Sequence, residues 1–221
     1  AVGIFGAGED EERTIVADLE PVIEIAGVTK RWGKTTALDG IDLTVPRGGV
    51  TAMLGANGAG KTTLFSCAMG LTKPTRGRMR IFGRQPGALA VRRRIGVMLQ
   101  EANLPYNLTP RELITLFSSY YPDPMPVSEA IAMCELGSFA RRRYRTLSGG
   151  QKRRVQMALA VLGRPEIVFL DEPTTGLDID ARRGVWRTVR ELSGRGGTVI
   201  LSTHYLEEAD MLADRIVVLD K

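Results

Sequence analysis

Five groups of residues in this chain have types and spacing suited to phosphate chemistry. The first is a glycine-rich loop, Gly55-Ala56-Asn57-Gly58-Ala59-Gly60-Lys61-Thr62, followed directly by Thr63. Glycines let successive backbone N–H groups converge on phosphate oxygens. A lysine can reach the distal phosphates of a nucleotide, and a hydroxyl can ligate Mg2+. The second group is Asp171 and Glu172, at the end of the apolar run Ile167-Val168-Phe169-Leu170. A buried parallel strand presents carboxylates at its C-terminal end, where Asp171 suits Mg2+ and Glu172 suits orienting or deprotonating a water. The other three are Gln100, the pentapeptide Leu147-Ser148-Gly149-Gly150-Gln151, and His204, the only histidine. The pentapeptide is a polar, glycine-rich helix start, and Ser148 with the Gly149 and Gly150 amides can bind a phosphate.

The elements that must position these groups follow from periodicity and punctuation. β-Rich runs over residues 22–29 and 37–45 are divided by Gly33 and Gly40. A short apolar strand over 50–54 feeds the glycine loop, and a helix is predicted over 61–71. Residues 78–82 and 95–99 read as strands, the second delivering Gln100. From 108 to 148 the chain carries Pro110, Pro122, Pro124 and Pro126, and Leu113, Leu116, Phe117 and Tyr120 recur at helical spacing. This reads as a small helical subdomain (residues 103–148) inserted into an α/β core. The pentapeptide then opens a helix over 149–162, with Val155, Leu159 and Leu162 on its apolar face. Strands at 167–170, 198–202 and 216–219 alternate with helices at 181–192 and 206–213, which argues for a mostly parallel sheet covered on both faces. Residues 1–20 mix a glycine-rich start with the acidic run 9–12 and read as a flexible extension, so the main domain is expected over 21–221. The chain begins with Ala1 rather than Met, which points to processing or a boundary imposed on a longer chain.

A chain of 221 residues, 43% hydrophobic and 25% charged, can bury a full core, and this composition argues against disorder. The net charge of +5 permits a nucleic-acid or anionic membrane surface. The basic clusters at residues 92–94 and 141–145 read as solvated faces. Cys67 and Cys134 lack metal-site spacing and are expected to be small core residues of a protein in a reducing compartment. No apolar run is long enough to cross a bilayer, so work at a membrane would go through a partner.

With its glycine loop, glutamine, LSGGQ, Asp-Glu pair and histidine in this order, the chain resembles the nucleotide-binding domain of ATP-binding cassette proteins, from near Val22 to Lys221. A fixed pentapeptide would arise by chance in roughly one chain in ten thousand, so LSGGQ makes the resemblance specific. The resemblance implies an α/β fold with a P-loop NTPase core and mostly parallel sheet, an antiparallel β-subdomain and the inserted helical subdomain. It implies ATP and Mg2+ as ligands, with Lys61, Gln100, Glu172 and His204 catalytic and Thr62, Gln100 and Asp171 at the metal. The nucleotide would contact Trp32 through adenine stacking and the loop residues Gly55, Asn57, Gly58, Ala59, Gly60, Lys61, Thr62 and Thr63. Ser148, Gly149, Gly150 and Gln151 would bind the nucleotide held by a second chain, and Asp178 of Gly176-Leu177-Asp178 would cross between the chains. Many members have proline where this loop has Ala56.

The family resemblance implies two cassettes sandwiching two ATPs, as a homodimer or as a heterodimer with a second cassette. The run Thr203-His204-Tyr205-Leu206-Glu207-Glu208-Ala209-Asp210 resembles the branch that drives multidrug, antibiotic and polysaccharide export. That implies an ATP-hydrolysing motor on the cytoplasmic side of the membrane, bound to separate integral membrane permease subunits through the helical subdomain, including residues 104–108. Many exporters of that branch continue past this length, which implies a truncated or short member. Two alternatives remain: a cassette acting on a membrane regulatory partner without transport, and one acting on DNA or ribosomes. The chain lacks the large insertions of DNA-repair cassettes and the second cassette of ribosomal ones, so nucleic acid is disfavoured. No guanine-selecting N-K-x-D pattern occurs.

Overall fold

A computed structural model of the protein describes residues 2–6, 20–100 and 102–220. The strands are β1 (Val2–Gly6), β2 (Pro21–Trp32), β3 (Thr35–Pro46), β4 (Gly49–Leu54), β5 (Arg76–Ile81), β6 (Ile95–Met98), β7 (Ile167–Asp171), β8 (Thr198–Thr203) and β9 (Arg215–Leu219). The helices are α1 (Lys61–Ala68), α2 (Leu89–Arg92), α3 (Pro110–Ser118), α4 (Val127–Met133), α5 (Gly149–Val161), α6 (Ile179–Gly194) and α7 (Leu206–Leu212).

The main sheet has the order β1-β9-β4-β8-β7-β6. All its pairings are parallel except β1 with β9. Alternation along its strands divides two cores. Val168 and Leu170 of β7 and Val199 and Leu201 of β8 face one core, with α5 and the inserted helices. Ile167, Phe169 and Ile200 face the other, with α1 and the second sheet. Successive strand side chains point to opposite faces, so strands buried on both sides read as unbroken apolar runs. The second sheet, β3-β2-β5, is antiparallel and caps the α1 side. The expected α/β architecture with its two kinds of sheet is what the chain adopts.

Within the expected extension over residues 1–20, the described residues Val2–Gly6 form a strand. Val2–Gly6 adds an antiparallel edge strand to β9, in the register Val2↔Leu219 to Gly6↔Arg215. Val2, Ile4 and Phe5 suit a strand, and one side of β9 offered unpaired backbone groups to them. The glycines around them masked this preference. The acidic run 9–12 lies outside the described residues.

Helix ends follow local chemistry. Thr109 caps α3 in a reciprocal capping box with Glu112, and Pro110 occupies the first turn, where its missing N–H costs nothing. The face of α3 differs from the one expected. Leu113, Ile114 and Phe117 pack inward, whereas Leu116 is 42% exposed and Tyr120 is 71% exposed. On a helical wheel Ile114 and Phe117 fall on one side of Leu113 and Leu116 on the other, and the helix ends before Tyr120. Cys67 and Cys134 are both buried; burial raises the Cys67 thiol and pushes that of Cys134 up to about 12, as expected of inert core residues.

One ion cluster ties the edges of the fold together. Glu166, just before β7, accepts from Arg47 at 2.7 Å and from both Nε and Nη2 of Arg94, and the Arg94 guanidinium lies 3.6 Å from the Phe82 ring centroid. Arg94 is therefore a structural cation rather than part of a solvated run. Its hydrogen bonds hold the Glu166 carboxyl down at about 2, against an ordinary 4.5. A depressed carboxylate stabilises the fold above its unfolded value, and that contribution is lost as pH falls toward the folded value. Glu166→Gln should therefore be less stable than wild type at pH 7 by under about 1 kcal/mol, because solvent screens these half-exposed partners. The gap should close between pH 4.5 and 2, as read by urea unfolding across that range.

Candidate functional site

The ends of β4, β7 and β8 lie side by side. In register, Leu54 is opposite Thr203, and Asp171 is opposite Ser202. The loops leaving these strands carry the glycine-rich segment, Glu172 and His204, so the fold gathers at one sheet edge residues that are far apart in sequence.

The glycine loop needs its glycines. Gly60 has φ +99° at the N-terminus of α1, and a Cβ there would lie 2.5 Å from the Ala37 carbonyl oxygen. Gly55 donates its N–H to Thr203 O at 3.3 Å, and a Cβ on it would lie 2.6 Å from Leu219 O. Gly58 also takes positive φ. Ala59 packs against the core beneath the loop. A cleft of about 280 Å³ lies over the loop. It is lined by Asn57, Gly58, Gly60, Lys61, Thr62 and Thr63 of the loop and helix start, together with Gln100, Glu172 and Ala37.

Buried Lys61 is the cation of the cleft. Its Nζ donates to the carbonyls of Gly55 at 2.6 Å and Ala56 at 3.1 Å, and lies 3.8 Å from Glu172 Oε1. Around Glu172 the contacts converge. Oε2 accepts from Gln100 Nε2 at 3.2 Å and Thr175 Oγ1 at 3.1 Å, and Oε1 lies 3.5 Å from His204 Nδ1. His204 Nδ1 is buried without a hydrogen-bond partner among the described residues, and its ring centroid lies 4.1 Å from that of Tyr205. Glu172 has φ +47°, a left-handed backbone costing a non-glycine residue roughly 1–2 kcal/mol. Fully buried Ser202 supports this turn: its hydroxyl accepts from the Glu172 N–H at 2.9 Å and donates to Asp171 Oδ1 at 2.5 Å.

The remaining predicted residues stand elsewhere. Ser148 caps α5 in a reciprocal capping box with Gln151, and Asp178 caps α6 by accepting from Ala181 N at 2.8 Å. The two helix starts meet: a Cβ on Gly150 would lie 2.6 Å from Ala181 Cβ, so glycine is needed for the approach. None of Ser148, Gly149, Gly150, Gln151 or Asp178 lines the phosphate-loop cleft of this chain. Trp32 is 54% exposed at the end of β2, with Lys30 Nζ 4.2 Å from its ring centroid, and it too lies outside the cleft lining.

Sequence reasoning did not single out Thr175, Ser202 or Glu208. Buried Glu208 accepts at one oxygen from both Thr174 Oγ1 (2.8 Å) and Trp186 Nε1 (3.1 Å), linking the loop after Glu172 to α6. A signal for Ser202 existed: a polar residue at the C-terminal end of an apolar strand, next to a strand ending in two acids.

A glycine loop at a helix N-terminus, two acids at a strand end two places along the same sheet and a capped LSGGQ helix on the same chain are the parts of a nucleotide-dependent cassette. Residues 38–175 match the family described as ABC transporter, and the chain belongs to that family. The chain is 44% identical over 208 residues to a daunorubicin resistance ATP-binding protein of Streptomyces coeruleorubidus, covering 91% of this chain and 66% of that protein. It is 42% identical to a daunorubicin/doxorubicin resistance ATP-binding protein of Streptomyces peucetius (90% and 62% covered). It is 38% identical to a Nod factor export ATP-binding protein of Rhizobium meliloti (94% and 65% covered). The chain thus spans somewhat less than two thirds of the length of these relatives. Among solved structures it is similar to an ATP-binding cassette in a dimeric post-hydrolysis state bound to ADP and Pi (TM-score 0.80, 30% identity, covering 90% of this chain and 94% of that one). A dimeric bacterial ABC transporter cassette superposes nearly as well (TM-score 0.79, 29% identity, 89% and 94% covered).

Ser202→Ala would leave Asp171 and the Glu172 N–H without a buried partner. The variant should lose about 1–3 kcal/mol of stability, measured by urea unfolding. The loss should exceed that of Thr146→Ala, whose exposed hydroxyl leaves no buried group unpaired.

Proposed function

We propose that this chain is the ATP-hydrolysing motor subunit of an exporter, working as one of two paired cassettes on the cytoplasmic side of a membrane through separate integral membrane subunits. The observation that carries the reading is the convergence of Gln100, Thr175, Lys61 and His204 on the Glu172 carboxylate inside the phosphate-loop cleft. The names of the relatives, drug resistance and Nod factor export, support export as the work done.

The residues divide the task. Backbone N–H groups of the loop and the N-terminus of α1 receive the phosphates of ATP. Lys61, now held by two loop carbonyls, exchanges those contacts for phosphate oxygens. Trp32 offers an exposed ring face to adenine. Glu172, with Gln100 and Thr175 fixing one carboxylate oxygen, orients a water and takes its proton at the other. His204 Nδ1 faces the same oxygen and contacts the terminal phosphate. Thr62, Gln100 and Asp171 supply hydroxyl, amide and carboxylate oxygens, the hard donors Mg2+ prefers. Gln100 already points its amide nitrogen at Glu172, which leaves its oxygen for the metal. Bound there, Mg2+ would neutralise charge on the phosphate oxygens.

Ser148, Gly149, Gly150, Gln151 and Asp178 stand apart from this cleft, which supports a role on the nucleotide of a second cassette. ATP would then close the pair, and loss of the terminal phosphate would reopen it.

The test is Glu172→Gln. Its hydrolysis should fall by about 100-fold or more with ATP affinity retained. In gel filtration with light scattering it should run as a monomer alone and as a dimer with ATP. Hydrolysis at the normal rate would defeat the proposal.

A further inference from the structure

Helix α5 carries a guanidinium that the reading above does not use. Arg153 Nη1 donates to the Leu99 carbonyl at 3.1 Å and to Gln156 Oε1 at 3.2 Å. Leu99 immediately precedes Gln100, whose amide meets Glu172. At this point the backbone has left the sheet. Met98 is buried, but the Leu99 side chain is 37% exposed, so core packing does not fix the turn. The Arg153 bond does so from outside, as a charge-assisted contact to a carbonyl.

The other side of Arg153 is anchored equally well. Gln156 Nε2 donates to the Tyr144 hydroxyl at 3.2 Å. Tyr144 is fully buried, and its N–H donates to Leu108 O at 2.8 Å; the next residue, Arg145, donates to Tyr106 O at 3.1 Å. Partial burial lowers the Arg153 pKa, while Tyr144, Asp171 and Glu172 act in the opposite direction. The guanidinium thus lies within electrostatic reach of both site carboxylates, yet bonds to neither. A line of polar contacts runs from the segment around Tyr106 and Leu108, through Tyr144, Gln156 and Arg153, to the residue before Gln100.

We propose that Arg153 is a positioning residue for hydrolysis: it pins the Leu99 carbonyl so that Gln100 meets Glu172, and through Gln156 and Tyr144 it makes that placement depend on the 104–108 segment. The inference rests on the reading of Glu172 and Gln100 as the hydrolytic pair. It adds that one arginine of the LSGGQ helix serves the cleft of its own chain, while Ser148 at the start of that helix faces a partner.

The test compares ATP hydrolysis by the full chain as wild type, Arg153→Ala, Gln100→Ala and the double variant. Arg153→Ala should lower kcat by about 10- to 100-fold, as displacement of a reacting group does, with KM for ATP little changed. The double variant should be no slower than Gln100→Ala alone, within about twofold, because both changes remove the same placement. Arg153→Lys should recover part of the rate, since its ammonium can still donate to Leu99 O. Multiplicative losses in the double variant would overturn the proposal, as would an Arg153→Ala enzyme of wild-type kcat, or a Gln100→Ala enzyme of wild-type rate beside a slow Arg153→Ala. If Arg153→Ala melts early, Gln156→Leu carries the test: it frees the far side of the guanidinium and should lower kcat at unchanged KM, and an unchanged kcat would overturn the proposal. Failure of the hydrolytic reading itself would show separately, as normal turnover by Glu172→Gln.

Discussion

Level parallel pairing of β4, β8 and β7 is the constraint on which the site depends. With Leu54 opposite Thr203 and Ser202 opposite Asp171, three strand ends finish at one edge, and each releases a loop with a different chemical part. A slip of one residue in β7 would turn Asp171 and Glu172 to opposite faces and break the Ser202 contacts that hold both. The buried apolar runs of β7 and β8, split between two cores, resist that slip because every side chain would exchange its core for the other. Hydrophobic burial thus sets the positions of polar groups it never touches.

Much of this was legible in the sequence because the relevant interactions are local. The glycine loop, the helix start at Ser148 and the apolar strands are each written within a few residues. Pairing across the chain was harder to see. Strand β1 owes its existence to an edge on β9 that is more than two hundred residues away, and glycines hid the strand preference of Val2, Ile4 and Phe5. The face of α3 was misplaced because Leu116 and Tyr120 share helical spacing with Leu113, and only packing shows which side the core occupies. Ser202, Thr175 and Glu208 carry no motif; their importance comes from what lies opposite them.

Positive charge in this chain is also less diffuse than its total suggests. Arg94 and Arg47 serve Glu166, Arg187 and Arg154 meet Glu135, and Arg195 bridges Glu129 and Glu191. All but Arg195–Glu191, which lie one helical turn apart, join segments distant in sequence. They link helices to one another and strand-flanking turns to one another, and add little stability, since most of the partners are solvent-exposed.

The single oxygen of Glu208 shared by Thr174 and Trp186 has an optical consequence. Of the two tryptophans, Trp32 is more than half exposed at the end of β2, whereas Trp186 has its indole N–H tied to the buried carboxylate of Glu208. Their emission should therefore differ in colour and in quenching. Any shift of the turn after Glu172 that moved Thr174 would redistribute the hydrogen bonding of that oxygen and alter the electric field on the Trp186 indole. The protein thus carries a native fluorophore wired to the turn after Glu172, and a second one at the surface that can serve as an internal reference.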